Sequence, residues 1–376
     1  MLNGKIVILQ VLGGLSMGGA ESRIMDILRR LDRQQFQYDF LLNEPPAFFD
    51  EEAERLGCRI FRTVKYKVYN KARYLKEMRE FFSAHPEIDI VQGHSTNTAG
   101  LYLPIARECG VKCTMAHARS AGVDPGLGGM IKKSLRRGLA KKADICLACS
   151  HEAAEAVFGK EAEVRIFPNA VSLDGFSPTA SHVAAGKELK KRLGLSNAFI
   201  VGHVGRFHYA KNHEFLLKIF SEIKKREKNA MLLLVGEGEL MEQTRQQAEK
   251  LGIRESVIFA GRQADPESYY QAMDVLVFPS HYEGLPGTVV EAQASGLPVL
   301  MSEAVTKDVR VTALVECLSL KEEAALWAER ALKLAERFPA DKRAGELKYT
   351  GAMKEAGFDV NTQVLTLEAL YREALR

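Results

Sequence analysis

Three loops of this 376-residue chain carry the residue types that handle anions and hydroxyl-rich ligands. The first is Leu12-Gly-Gly-Leu-Ser-Met-Gly-Gly-Ala-Glu21, between a strand-like run and a helical pattern. Glycines there let backbone approach a ligand, and the helix N-terminus offers free N–H groups and a positive dipole end, which suits phosphate at Gly18 and Gly19. A tight turn that needs glycine explains the same residues. The spacing fits neither the dinucleotide fingerprint nor a Walker A loop, since no Gly-Lys-Ser/Thr follows. Gly14-Leu-Ser-Met-Gly18 also fits G-x-S-x-G, which makes Ser16 a candidate nucleophile. That elbow normally follows several strands and an HGGG-type motif, and neither precedes it here.

The second loop, Val201-Gly-His-Val-Gly-Arg-Phe-His-Tyr-Ala-Lys-Asn212, again ends a strand and enters a helix. Arg206 and Lys211 beside a helix N-terminus could hold a diphosphate and stabilise it as a leaving group. Ordinary solvated surface cations are the alternative. His203, His208 and His213 invite a metal assignment, but His203 falls inside the strand and the other two beyond it, so convergence is not expected.

The third loop is Ser280-His-Tyr-Glu-Gly-Leu-Pro-Gly-Thr-Val-Val-Glu291, with Gly296 and Pro298 ending the helix that follows. Carboxylates at Glu283 and Glu291 can accept hydrogen bonds from sugar hydroxyls, while the backbone of Leu285, Pro286, Gly287 and Thr288 opens a helix toward an anion. Thr288-x-x-Glu291 is equally a capping box, and the local pattern leaves both roles for Glu291 open.

These loops need a scaffold, and the chain supplies one. Strand-like runs at Lys5–Leu12, 38–42, 89–92, 111–116, 145–148 and 164–167 alternate with helical stretches. That is the βα rhythm of a parallel sheet covered on both faces. The segment from Phe167 to Pro178, with two prolines and a glycine, reads as an interdomain hinge. The rhythm then restarts at 199–206, 231–235, 256–260, 274–278 and 298–301. Beyond Ser302 the chain reads as mostly helical, most clearly over 321–337 and 360–376. The expected domains are 1–170, 171–360 and a C-terminal helix, 361–376, that can pack back on the first.

Bulk composition bounds the answer. Lys and Arg number 52 against 48 Asp and Glu, a net charge of +4, too little to suggest nucleic acid. Six cysteines do not make a disulfide scaffold and suit a reducing, cytoplasmic compartment. Cys146 and Cys149 sit three apart in a strand and so point to opposite faces. No apolar run approaches the ~18 to 20 residues that span a bilayer, and the N-terminus lacks the features of a secretory signal. A basic amphipathic stretch from Met130 to Lys142, with Ile131, Leu135 and Leu139 on one face and six cations around it, can rest on an anionic membrane or guide a phosphorylated lipid. An ordinary surface helix fits it too.

Together Gly18-Gly19-Ala20-Glu21, Gly205-Arg206 with Lys211-Asn212, the Glu283 to Glu291 motif with Glu-Gly-Leu-Pro inside, and the Pro168-Asn169-Ala170-Val171 hinge with Asp174 and Phe176 resemble the family-four retaining glycosyltransferases of the GT-B fold. The resemblance runs from about residue 5 to 300. It implies two Rossmann-like doubly wound domains facing across a cleft, the second holding a nucleoside-diphosphate-sugar donor, with a UDP-sugar the first expectation. By position it implies that Arg206 and Lys211 neutralise the diphosphate, Glu291 bonds the ribose, Glu283 faces the sugar, and Gly18-Gly19 approaches the phosphate and acceptor side. His117, in Thr114-Met-Ala-His-Ala-Arg119, matches the family's active-site histidine beside the donor sugar; His94 could line the acceptor side. A glycan or lipid-linked acceptor, surface polysaccharide assembly, reaction with retention and no required metal or cofactor also follow from it. The sequence contains no D-x-D. A departure is that 302–320 lacks glycine, where many relatives form donor-site turns. A serine hydrolase using Ser16 would lose activity as Ser16→Ala. A nucleotide-sugar-binding protein without catalysis would have no turnover for Glu283→Ala to remove.

Overall fold

A computed structural model describes residues 4–16, 18–119, 127–345 and 347–376. The chain divides into two units, Met1–Ala170 with Val360–Arg376, and Val171–Asp359. In the first unit the strands are β1 (Ile6–Val11), β2 (Phe36–Leu42), β3 (Ile60–Arg62), β4 (Ile90–Gly93), β5 (Cys113–Ala118), β6 (Ile145–Ala148) and β7 (Arg165–Ile166). They form one sheet in the order β3-β2-β1-β4-β5-β6-β7, and every pairing is parallel.

The second unit repeats the plan. Its strands are β8 (Phe199–Val204), β9 (Ala230–Val235), β10 (Val257–Gly261), β11 (Val275–Phe278), β12 (Val299–Ser302) and β13 (Val315–Leu318). The order is β10-β9-β8-β11-β12-β13, again all parallel. Both sheets are doubly wound, and each reverses direction between its first and fourth strands. Ligands of such sheets bind at that reversal, outside the carboxyl ends of the strands. The three loops singled out in the sequence follow β1, β8 and β11, so all three stand at a reversal point.

Continuous apolar runs such as Ala230–Val235 are buried on both faces, as parallel strands with helices on each side require. The first core joins Ile8, Phe36, Phe40 and Met115 to Val360, Val364, Leu367 and Leu370 of the helix Val360–Glu373. Burying each of these helix side chains is worth roughly 1.5 to 3 kcal/mol, which seats the helix on the first unit. The second core centres on Phe220, Leu232, Val277 and Trp327.

Two sequence expectations change. The stretch after Ser302 is not only helical, because Val315–Leu318 closes one edge of the second sheet beside β12. The basic stretch is not one amphipathic helix. The helix Leu127–Arg136 stops short of Gly138, whose φ of 70° the glycine accommodates, and a short turn Leu139–Lys141 follows. Leu139 is buried, away from the exposed Met130 and Ile131, and Arg136 is buried with its Nε donating to Asn97 Oδ1 at 2.8 Å. The Lys132 side chain lies outside the described residues. Among the described residues, no helix is long and apolar enough to cross a membrane.

Candidate active site

In the second unit, the turn after β8 is built against the turn after β9. Gly236 has φ 137°, and a Cβ there would lie 2.1 Å from the Gly205 carbonyl oxygen. At Gly238 a Cβ would lie 2.4 Å from the Phe207 carbonyl oxygen. The Phe207 N–H donates to the Glu237 carbonyl at 2.9 Å. Two backbones therefore touch where only glycine fits, and the contact fixes the platform on which Arg206 stands. Gly236-Glu-Gly238 was not singled out in the sequence. Its signal was two glycines directly after an apolar run.

Arg206 is largely exposed, and its Nη2 stands 3.1 Å from Glu239 Oε2. Exposed pairs of this kind contribute on the order of 0 to 1 kcal/mol, so the guanidinium can exchange Glu239 for a stronger anion. Lys211 is mostly buried. Its Nζ lies 2.8 Å from Glu283 Oε1 and 4.5 Å from the centre of the Phe278 ring. The Lys211–Glu283 contact is close but lacks hydrogen-bond alignment, so Coulomb attraction rather than a directed bond holds it. A cation is thus kept poised beneath the loop by one carboxylate and one ring face.

Glu291 lies in the second turn of the helix Gly287–Ala294. The capping-box reading does not hold. The helix begins one residue before Thr288, the Thr288 hydroxyl donates to the Val204 carbonyl at 3.2 Å, and Glu291 Oε2 accepts from the Tyr270 hydroxyl at 2.6 Å. Tyr270, absent from the sequence reading, orients this carboxylate. Nearby Glu267 has its carboxyl pushed up to about 7, first by burial and then by Asp265 and Glu291. Leu285 and Pro286 are buried, and they place the amide end of the Gly287–Ala294 helix.

The histidines of the second loop partly meet. The His203 and His213 rings are 4.8 Å apart, with His203 Nδ1 2.9 Å from the Val277 carbonyl. His208 instead accepts the Ala210 N–H at 3.2 Å. Burial drives His203 down to about 4 and His213 to about 2, so both rings are neutral core residues at pH 7. Among the described residues no cluster of three or more His, Cys, Asp or Glu is arranged to hold a metal.

The first unit places its candidates differently. Gly18 N-caps the helix Gly19–Leu28 without a side-chain cap, and its missing Cβ leaves room for Glu21, whose Oε2 would lie 2.1 Å from that atom. The Glu21 carboxyl is raised by burial despite a backbone hydrogen bond that lowers it. Glu44 crowds Gly14 from the other side, with Oε2 3.1 Å from a Cβ position. The turn expected to welcome phosphate is therefore lined by carboxylates of its own. Ser16 is exposed, and among the described residues its hydroxyl makes no hydrogen bond to a histidine. Met17 lies outside the described residues.

His117 and His94 come together with partners that the sequence did not reveal. Their rings are 5.2 Å apart. His117 Nδ1 is 3.0 Å from Gln92 Nε2, and His94 Nε2 is 2.7 Å from Gln10 Oε1. Burial is the main reason that both are held well below the usual imidazole range, with Arg119 next.

Comparison with known proteins bears on what these loops serve. The chain matches the family described as Glycosyltransferase Family 4 over residues 17–174 and that described as Glycosyl transferases group 1 over residues 186–315. It is 33% identical over 337 residues to EpsF of Bacillus subtilis (strain 168), named as a glycosyltransferase without a stated substrate, covering 87% of each chain. It is 27% identical over 244 residues to an Escherichia coli UDP-Gal:alpha-D-GlcNAc-diphosphoundecaprenol alpha-1,3-galactosyltransferase, covering 61% of this chain and 62% of that one. Anabaena HepE, solved in complex with UDP, superposes with a TM-score of 0.78 at 18% identity, over 98% of this chain and all of the other. The two doubly wound parallel sheets, the paired family matches and the EpsF relationship place this chain among the group 1 glycosyltransferases of the GT-B fold.

Proposed function

We propose that the enzyme is a retaining glycosyltransferase that moves a sugar from a UDP-sugar to a hydroxyl of a glycan or lipid-linked acceptor in surface polysaccharide assembly. The observation that carries this reading is the set Arg206, Lys211 and Glu291, gathered on three elements at the β8/β11 reversal of the second unit. Lys211 and Arg206 would neutralise the diphosphate as the bond from the anomeric carbon to phosphate oxygen breaks and the nucleoside diphosphate leaves with the electron pair. Glu291, held by Tyr270, would accept the ribose hydroxyls. Glu283 would accept sugar hydroxyls once Lys211 turns to phosphate, and the N–H groups of Gly287 and Thr288 would face the anion. The acceptor hydroxyl oxygen would bond the anomeric carbon on the face that the phosphate leaves, its proton passing to the departing phosphate oxygen. His117 would serve the transferred sugar, and His94, Gly18 and Gly19 the acceptor, since the carboxylates around Gly18 favour a hydroxyl over a phosphate. HepE, solved with UDP, and the E. coli galactosyltransferase, named for UDP-Gal and an undecaprenyl diphosphate acceptor, support a UDP-sugar and a lipid-linked glycan. Approach to an anionic membrane would use exposed Met130, Ile131, Lys133 and Arg137.

A thermal-shift series with UDP-, GDP- and ADP-sugars, followed by NMR of the product's anomeric proton, tests the reading. UDP-sugars should raise the melting midpoint, and the new linkage should keep the donor's configuration. Stabilisation by none of the three would overturn the donor site, a response to GDP- or ADP-sugars alone would overturn the UDP assignment, and an inverted product would overturn retention.

A further inference from the structure

Hydrogen-bond donors and acceptors in the first unit form a chain with a fixed direction. Arg119 Nε lies 3.3 Å from His94 Nδ1, and Arg119 Nη1 lies 2.8 Å from Asn169 Oδ1. A guanidinium only donates, so His94 Nδ1 accepts and the ring proton of neutral His94 sits on Nε2. That nitrogen donates to Gln10 Oε1 at 2.7 Å. The Gln10 amide nitrogen then donates to Gln92 Oε1 at 3.3 Å, and the Gln92 amide nitrogen donates to His117 Nδ1 at 3.0 Å. Tyr371, on the helix Val360–Glu373, also donates to Gln92 Oε1, and the Tyr38 hydroxyl stands 2.7 Å from that of Tyr371. The Tyr371 hydroxyl favours this orientation of Gln92, and the Gln10 donor, set by His94, agrees with it. Reversing the chain would turn both amides and set a His94 N–H against the Arg119 N–H.

We propose that Arg119 is a positioning residue which, through His94, Gln10 and Gln92, holds His117 as a neutral imidazole with its proton on Nε2, as a hydrogen-bond donor for substrate. His117 Nε2 is buried and has no hydrogen-bond partner in the protein. The Phe167 carbonyl favours a proton on this ring without reaching bonding geometry. The chain thus ends on a donor that no protein acceptor meets in bonding geometry, and a hydroxyl oxygen is the acceptor it could take. His117 is on this account a donor and not a general base, because Nδ1 is occupied by the Gln92 amide and Nε2 already carries the proton. The substrate half of the proposal rests on the assignment of His117 to the transferred sugar; the tautomer does not.

The full-length chain labelled with ¹⁵N-histidine allows both ring tautomers to be read by long-range ¹⁵N–¹H correlation, with assignments from His94→Gln and His117→Gln. Both histidines should show a bare Nδ1 and a protonated Nε2. Arg119→Lys, still a donor, should keep this pattern. Gln92→Glu places an acceptor-only carboxylate beside His117 Nδ1; it should move the His117 proton to Nδ1 and lower kcat/KM about tenfold, the loss of one hydrogen bond, with the melting midpoint reported alongside. A His117 proton on Nδ1 in the unmodified enzyme, or Gln92→Glu with a moved proton and unchanged kcat/KM, would overturn the proposal. Failure of the functional assignment looks different: His117→Ala at full turnover would remove the substrate role while the tautomer stays as the chain dictates.

Discussion

The turns after the first strand of each sheet occupy the same topological place and carry opposite charge. After β1, Gly13 and Gly14 lie against Glu44 and Gly18 against Glu21. After β8, Gly205 to Lys211 present Arg206 and Lys211. The strand order brings both to a reversal point, so topology alone does not decide the ligand; the side chains do. The polar partners differ as well. In the second unit charge is balanced by carboxylates that an incoming anion can replace. In the first, the groups around His117 are buried, mostly neutral and already bonded in one direction. A departing diphosphate needs the first kind of surface, and a substrate that must be oriented without new charge needs the second.

The largest way to break this contrast is Lys211→Met. It removes the poised cation and leaves Glu283 without its ion-pair partner. It should lower kcat/KM by roughly 10² to 10³, read in steady-state assays, whereas a change under threefold would show that the lysine serves only Glu283. A smaller effect separates the cores by pH. Burial holds the His213 imidazole down to about 2 in the folded state against about 6.5 unfolded, so its contribution is complete above about pH 6.5 and is lost as pH falls below it. Calorimetry between pH 7 and 5 should therefore show a falling midpoint, and His213→Leu should flatten that slope. An unchanged slope would mean that the ring is not held neutral. The smallest effect is expected from Glu239→Ala. The pair with Arg206 is exposed, so stability should move by less than about 1 kcal/mol, while UDP affinity by calorimetric titration should hold or tighten. Weakened UDP binding would show that Glu239 positions Arg206 instead of merely occupying it.

Much of the scaffold was legible because parallel strands are apolar on both faces: β9 and β11 show as uninterrupted runs, β1 is broken only by Gln10 and β8 by Gly202 and His203. One edge strand of each sheet was not legible, although the opposite edges, at 164–167 and 256–260, were read as strands. Ile60–Arg62 is three residues ending in arginine, and Val315–Leu318 includes Glu316, since an edge needs less apolar character and is easily lost among polar neighbours. Lys211, Arg206, Glu283 and Glu291 were visible because glycine-rich strand-to-helix turns concentrate them. Their supports were hidden, because Tyr270, Glu239 and the Gly236–Gly205 contact depend on tertiary apposition that spacing does not encode. Of the two roles left open for Glu291, the cap fails for a local reason: the helix starts at Gly287, which sends the Thr288 hydroxyl to Val204 and leaves Glu291 to Tyr270. The basic stretch from Met130 misled because one glycine, Gly138, ends what composition alone continues.

The most direct test of the donor-site assignment is a crystal structure of the full chain with UDP. The account predicts diphosphate oxygens within hydrogen-bond distance of Lys211 and Arg206, ribose hydroxyls on Glu291, and Arg206 released from Glu239. UDP bound elsewhere, or bound with the Arg206–Glu239 pair intact, would contradict it.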